Sequence, residues 1–282
     1  MPWQCADDDR GIAAMSTIAP ALSRNGDAHT GIRVLPAMRG RSAGLITVCG
    51  WRAGQGSTTF AIALASDLAQ RGRHVLLVDA DPAMGTIRTV LRVRHEGRSV
   101  HALLSHDEFS VELIERLAVG LSGTPGLSVI GGVLSLPNPP IMDHILPRLA
   151  QVAPRLPYDH VVVDVGAPFA YPGVRDLDGI AAGISRASTR TYVVMRDELA
   201  TVPLAMAVLS PIRQVLKAEA VLWEGSGGAA TGALLGTWRA RLPEIPIVAG
   251  MRWDERRYME LVCSGRSGFD LSHEVSKALV LT

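Results

Sequence analysis

The feature that most constrains the fold is a strand, a glycine-containing loop, a helix and a second strand within residues 45–82. Both strands read as continuous apolar runs, at residues 45–48 and 75–78, as parallel strands buried on both faces do. Between them, Gly54 and Gly56 can adopt the backbone angles that turn successive N–H groups into one concavity. The following helix directs its N-terminal dipole at the same concavity, so this stretch suits a polyphosphate group.

The helix after the loop begins at Ser57-Thr58-Thr59, and Gly72 is a suitable residue to end it. Its predicted core face carries small apolar side chains that can lie close on a sheet: Ala61, Leu64, Ala65 and Leu68. Further along, apolar spacing predicts helices over residues 100–104, 111–119, 141–152 and 199–216, and strands over residues 127–130, 191–195, 220–223 and 245–249.

A second informative stretch is residues 158–168. Its apolar run, residues 161–163, is followed by Asp164 and then by Gly166 and Pro168. Asp164 comes directly after three valines, which is the form of a central parallel strand that delivers a carboxylate to a ligand crevice. The alternative is that Asp164 only caps the next turn. The phosphate-type loop upstream favours the crevice.

At these residues the sequence resembles the ParA/MinD superfamily of deviant-Walker P-loop ATPases. The loop of that family reads Lys-Gly-Gly-x-Gly-Lys-Thr-Thr, and its next strand ends Asp-x-Asp-Pro. The residues that match in type and spacing are Gly54, Gly56, Thr58, Thr59, Asp79, Asp81 and Pro82. Residues 158–168 resemble the Walker B and switch II segment. The resemblance covers most of residues 44–268 and implies an α/β fold, with a mostly parallel central sheet and helices on both faces.

The departures from the family pattern are as informative as the matches. Ser57 stands where the family has its phosphate-binding lysine, and Arg52 stands where it has the signature lysine that reaches across a dimer. Trp51 replaces the first glycine of the general pattern, so the loop is not a strict Walker A motif. Trp223-Glu224 occupies the strand end at which relatives carry an adenine-contacting Asn. The resemblance is therefore to branches with degenerate loops, such as the CpaE/TadZ-like branch.

The resemblance implies ATP or ADP with Mg²⁺ as cofactors and assigns roles to specific residues. The cofactor-binding residues are Arg52, Ala53, Gly54, Gln55, Gly56, Ser57, Thr58 and Thr59; the metal residues are Thr58, Asp79 and Asp164; and the catalytic residues are Asp81 and Asp164. A charge-assisted hydrogen bond contributes about 1.5 to 3 kcal/mol, so without the loop lysine we expect binding weaker by roughly 10- to 150-fold. Hydrolysis should suffer more, because phosphoryl transfer depends on preorganised positive charge.

Composition limits which partners, cysteine-based sites and membrane segments the chain can have. A formal net charge of +1 over 282 residues predicts no bulk attraction to nucleic acid. Three widely spaced cysteines, Cys5, Cys49 and Cys263, support neither a disulfide framework nor a zinc site, which favours a reduced, cytoplasmic setting. No apolar run reaches transmembrane length. Residues 1–43 are expected to form a disordered or loosely docked leader, with Met15 as a possible alternative start, and residues 44–282 a single P-loop domain.

Two surfaces remain open to either of two interpretations. The C-terminal arginines can form a non-specific DNA surface, although interleaved acids favour a solvated face. The apolar face that includes Leu271 and Leu279 can bind a membrane, but Lys277 is the only basic residue there, which favours packing on the domain.

Three functions stay open from the sequence. The favoured one is a nucleotide-binding positioning or scaffold protein with weak or absent ATP hydrolysis, which acts as a homodimer with a protein partner of a positioning, secretion or partition system. The second is an active ATPase for DNA partition or division-site placement. The third is a dimerisation module that no longer binds nucleotide. Recruitment to a membrane or cell pole would then depend on a partner.

Overall fold

The computed structural model of the chain describes residues 43–93, 98–132, 141–170, 176–196, 201–224, 236–252 and 256. Nearly all of the predicted leader and the C-terminal segment with Leu271 and Leu279 lie outside these residues. Within the described ranges, no helix has the length and apolar character that crossing a bilayer requires.

Strands and helices alternate along most of the described chain. The strands are β1 (Gly44–Gly50), β2 (Val75–Asp79), β3 (Val119–Gly120), β4 (Leu127–Ile130), β5 (His160–Asp164), β6 (Arg190–Arg196), β7 (Glu219–Glu224) and β8 (Ile247–Arg252). The helices are α1 (Ser57–Gln70), α2 (Ile87–Val90), α3 (Val100–Leu104), α4 (Val111–Leu117), α5 (Ile141–Val152), α6 (Leu177–Ala187) and α7 (Thr201–Ile212), with a 3₁₀ turn at Ala153–Arg155. Residues 236–241 are also helical.

All of these strands join one sheet in the order β3-β4-β2-β5-β1-β6-β7-β8. Every neighbouring pair is parallel except β3 and β4, which are antiparallel. The predicted mostly parallel α/β sheet is therefore confirmed. The short β3 was not predicted: residues 111–119 read as one helix, but α4 ends at Leu117 and the chain turns into the sheet edge.

Two apolar cores lie on the two faces of the sheet. One forms under α1 and includes Phe60, Leu64 and Val162; the other includes residues of α5, α6 and α7. The predicted core face of α1 is buried, but the helix is buried all round from Thr59 to Ala69 rather than on one stripe. A helix without a polar face is one that other parts of the protein cover on every side.

The topology brings four segments to one edge of the sheet. β1 lies between β5 and β6, and the carboxyl ends of parallel strands meet at the same edge. Asp164 is in register with Asp79, and Gly50 with Val194. The loop after β1, the acids that end β2 and β5, and Arg196 at the end of β6 therefore share this edge.

Cys49 lies at the centre of the sheet. It is fully buried on β1, and its thiol donates to the carbonyl oxygen of Tyr192 at 3.6 Å. Burial, and secondarily the charge of Asp164, raises the pKa of the Cys49 thiol. Cys49 is therefore a small core residue, as expected for a buried free cysteine.

Candidate functional site

The loop between β1 and α1 depends on two glycines. Gly54 and Gly56 have φ angles of 78° and 87°, in the left-handed region that residues with a Cβ rarely adopt. A side chain at Gly56 would also lie 2.6 Å from the indole Nε1 of Trp223. Gly56 is thus required for both its backbone conformation and the close approach of Trp223, a contact that the sequence analysis did not predict.

The N-terminus of α1 has no side-chain hydrogen bond that caps it. Gly56 is the N-cap residue, no side chain caps the first turn, and the first turn contains no acidic residue. Ser57 and Thr58 are half-buried at this end, while Thr59 is buried. The first N–H groups of a helix are unsatisfied within the helix and carry partial positive charge, so this end suits an anion.

Asp164 and Thr58 come together at the same place. Asp164 is completely buried; its Oδ1 accepts the N–H of Gly166 at 3.1 Å, and its Oδ2 has no hydrogen-bond partner of its own in the described part of the chain. Burial raises the pKa of Asp164 to about 7; the Thr58 hydroxyl opposes this shift, and the charge of Asp81 adds to it. A buried oxygen without a partner is costly and calls for an explanation such as a bound ion or water.

Asp79 holds the connection from β2 to α2. It is 1% exposed; its Oδ2 accepts the N–H of Ile87 at 2.9 Å, and its Oδ1 accepts the N–H of Asp81 at 3.3 Å. Burial, followed by the charge of Asp164, raises the pKa of Asp79 to about 8. Because both oxygens already accept main-chain N–H groups, Asp79 is less available than Asp164 as a direct metal ligand.

Asp81 contacts the segment that follows β5. Its Oδ1 accepts the N–H of Ala83 at 2.9 Å, and a side chain at Gly166 would overlap its carboxyl group. Gly166 has a φ of 63° and donates to Asp164, so one glycine joins the two predicted catalytic acids. The residues that follow β2 and those that follow β5 thus meet in space.

The start of the loop is tied to β6 by Gln55. The side-chain Oε1 of Gln55 accepts both the indole N–H of Trp51 and the main-chain N–H of Arg196, each at 3.0 Å. Gln55 is 2% exposed and its side-chain oxygen already accepts two hydrogen bonds, so this side chain is not available to a ligand. The Arg52 guanidinium carbon lies 4.9 Å from the centre of the Trp51 ring. Ala53 and Gly54 form the exposed tip of the loop between β1 and α1.

These residues fit a polyphosphate with a divalent cation. The left-handed glycines and the uncapped helix supply N–H donors, the Thr58 hydroxyl supplies an oxygen ligand, and the partnerless Oδ2 of Asp164 can accept a hydrogen bond from water on the cation. No group of three metal-ligating side chains occurs within the described ranges. A cation here would complete its shell with water and phosphate oxygens, as Mg²⁺ commonly does.

Residues 46–217 match the sequence model of the CobQ/CobB/MinD/ParA nucleotide binding domain. No curated protein sequence matches the chain significantly.

Similar solved structures include a ParA family ATPase from Chlorobium tepidum TLS, with 18% identity, a TM-score of 0.63, and coverage of 79% of this chain and 90% of that one. MinD from Aquifex aeolicus has 15% identity, a TM-score of 0.61, and coverage of 85% and 98%. MinD from Pyrococcus horikoshii OT3, complexed with Mg-ADP, has 18% identity, a TM-score of 0.57, and coverage of 78% and 85%. At these identities the structural likeness shows a common fold.

Proposed function

The chain belongs to the CobQ/CobB/MinD/ParA nucleotide binding domain family, and from that membership we propose that it binds ATP or ADP with Mg²⁺ in the loop at residues 50–59. We further propose that it hydrolyses ATP weakly or not at all and acts as a homodimer that positions cellular machinery. We assign it to the CpaE/TadZ-like branch because Ser57 replaces the loop lysine, and we take its domain as residues 44–282 after a leader of residues 1–43.

One observation supports this proposal above the others: a complete main-chain cradle that lacks the lysine. The glycine φ angles, the uncapped α1 and the Asp164–Thr58 pair support a nucleotide site. Ser57 nevertheless occupies the first residue of α1, where a cation would face the phosphates. Binding supported by N–H groups survives that loss, whereas catalysis that needs preorganised positive charge does not.

The proposed roles follow from this chain's own side chains. Bound ATP with Mg²⁺ would supply the transferable phosphoryl group and the charge of the cation. Thr58 would ligate the cation, with Asp164 beside it through water, and Asp79 would keep the β2–α2 connection in place. Asp81, in contact with Gly166, would accept a proton from a water molecule at this edge. Arg52 would face the second subunit.

Titration calorimetry with Mg-ATP and Mg-ADP up to millimolar concentration tests the binding. We expect dissociation constants weaker than those of lysine-containing loops and little phosphate release in a parallel assay. Asp164→Ala should weaken binding only in the presence of Mg²⁺, whereas the exposed Asp107→Ala is the matched control and should change nothing. Absence of both heat and thermal shift for the parent protein would contradict the proposal and favour the dimerisation module.

An active ATPase is the second candidate, because Asp81, Gly166 and Asp164 retain a connected arrangement despite Ser57. Phosphate release that depends on Mg²⁺ and is lost in Asp164→Ala would favour it. A partner protein of a partition system would then be expected to stimulate the rate.

A further inference from the structure

We infer that Arg196 is a phosphate-binding residue that supplies, from the neighbouring strand β6, the positive charge that Ser57 lacks. The inference rests on the proposed nucleotide site and extends it to a residue outside the loop.

The main chain places Arg196 directly beside the loop. β6 pairs with β1 in parallel, with Gly50 opposite Val194, so Arg196 lies two residues beyond the point at which the loop begins. The main-chain N–H of Arg196 donates to the side chain of Gln55 at 3.0 Å. This bond fixes the α-carbon of Arg196 next to the loop whatever side chain it carries.

The alternation of β6 sets the face on which the Arg196 side chain emerges. Tyr192 and Val194 belong to the core under α1, whereas Met195 belongs to the core on the other face. Successive side chains of a strand point to opposite faces, so Arg196 continues the row of Tyr192 and Val194 on the α1 side.

Trp223 supplies an independent marker of the same position. It is the register partner of Arg196 on β7, and it belongs to the core on the α1 face. Its indole meets Gly56, the N-cap of α1. Since β6 lies between β1 and β7, Arg196 emerges between that indole and the strand that leads into the loop. Arg196, which is half-buried, therefore lies beside the uncapped end of α1.

Arg52 is less well placed for this role within the same subunit. Its guanidinium stacks on the Trp51 ring, and Trp51 is bound to Gln55 at the start of the loop. Arg196 instead lies beside Trp223, its register partner, whose indole approaches Gly56. The partnerless Oδ2 of Asp164 indicates that a ligand completes this edge, and an arginine fork suits the terminal oxygens of a polyphosphate.

The test compares Arg196→Ala and Arg196→Lys with Arg186→Ala, an exposed arginine of α6 that removes the same net charge away from the loop. Mg-ATP and inorganic tripolyphosphate, each with Mg²⁺, are titrated by calorimetry at two salt concentrations. We expect Arg196→Ala to weaken both ligands by roughly 10- to 150-fold and to reduce the salt dependence, because one charge-assisted contact is lost. Arg196→Lys should recover part of the affinity, and Arg186→Ala should match the parent.

The outcomes separate the two proposals. If the parent binds neither ligand, the nucleotide site and the role of Arg196 both fall. If the parent binds and Arg196→Ala binds equally well, only the role of Arg196 is overturned. Should Arg196→Ala unfold early in thermal melts, Arg196→Lys decides: affinity below the parent in a folded protein supports the inference, and unchanged affinity together with unchanged salt dependence overturns it.

Discussion

At the scale of single residues, position 57 sets how much positive charge the loop itself can offer. Ser57 begins α1 directly after the left-handed Gly56, so the helix fixes the direction of its Cα–Cβ bond. A serine hydroxyl there can donate a hydrogen bond to a phosphate oxygen but carries no positive charge, so it contributes less than a lysine ammonium group. Small changes at this residue should therefore alter affinity without altering the fold.

We predict that Ser57→Lys tightens nucleotide binding. A lysine at the start of α1 would extend over the phosphates, and the restored charge-assisted hydrogen bond should contribute about 1.5 to 3 kcal/mol. Calorimetry with Mg-ATP should therefore give a dissociation constant roughly 10- to 150-fold lower. Phosphate release should rise if Asp81 and Asp164 are correctly arranged.

Ser57→Met is the matched control, since it adds comparable length without charge and should not tighten binding. If Ser57→Lys folds normally and binds no better, the double variant with Arg52→Ala separates the causes. Recovery in the double variant means that Arg52 already occupied that volume. No recovery means that Arg196 already supplies the charge if the parent protein binds Mg-ATP, and that the crevice no longer accepts phosphate if the parent does not bind it.

Asp164→Asn should stabilise the ligand-free protein at pH 8, measured in the presence of a chelator. Burial raises the folded-state pKa of Asp164 to about 7 and that of Asp79 to about 8, so between pH 4 and 8 the folded state binds more protons than the unfolded state. Stability of the parent therefore falls as pH rises through this window. Asn keeps an acceptor for Gly166 and carries no charge, so its melting temperature should depend less on pH.

Melting temperatures at pH 5, 6, 7 and 8 test this, with Asp107→Asn as an exposed control. A parent whose melting temperature rises steadily from pH 5 to pH 8 would contradict the prediction.

At the scale of elements, the Gln55 side chain joins the end of β1 to the end of β6, two segments that are far apart in the sequence. It connects Trp51, at the end of β1, to the main chain of Arg196, at the end of β6. Because Gln55 is buried, loss of its oxygen would leave both N–H groups without that acceptor. The loop conformation thus depends on a strand that lies more than one hundred residues further along the chain.

Gln55→Leu should lower the free energy of unfolding by roughly 2 to 4 kcal/mol, since a buried donor and a partly buried donor lose their acceptor. Trp51→Phe removes only one of the two bonds and keeps the ring under Arg52, so it should cost less. Urea denaturation of both variants and of the double variant measures the coupling. Strict additivity of the two losses would argue against a shared acceptor.

The elements that the sequence predicts best are those with a strong local pattern. β2 and β5 are continuous apolar runs, α3 and α5 have the predicted bounds, and the acids fall at strand ends as expected. β3 was missed because two residues carry no periodicity, and their pairing depends on β4. The loop conformation could be predicted because its motif is contiguous: Gly54 and Gly56 have the left-handed φ angles that the sequence suggests. The Gln55–Arg196 and Gly56–Trp223 contacts could not be predicted, because they join distant residues.

At the scale of the whole molecule, Arg52 is predicted to support a twofold dimer. It is half-buried at the loop, where relatives carry the lysine that reaches across, and symmetric dimers are the commonest assembly. Sedimentation with Mg-ATP should give a dimer, and Arg52→Ala should shift it towards monomer while Arg186→Ala does not. A parent that sediments as a monomer with and without nucleotide would rule this out.

Because Cys49 is buried on the central strand, the rate at which its thiol reacts with a reagent would measure how often the sheet opens. β1 is hydrogen-bonded on both sides, and Cys49 faces the core, so a thiol reagent reaches it only when that strand separates from β5 or β6. In a Cys5→Ser, Cys263→Ser background, the labelling rate of Cys49 would follow the population of open molecules. Mg-nucleotide that binds only the closed form should slow labelling by the factor 1 + [L]/Kd, so the labelling rate of one buried thiol would report the affinity of the protein for nucleotide.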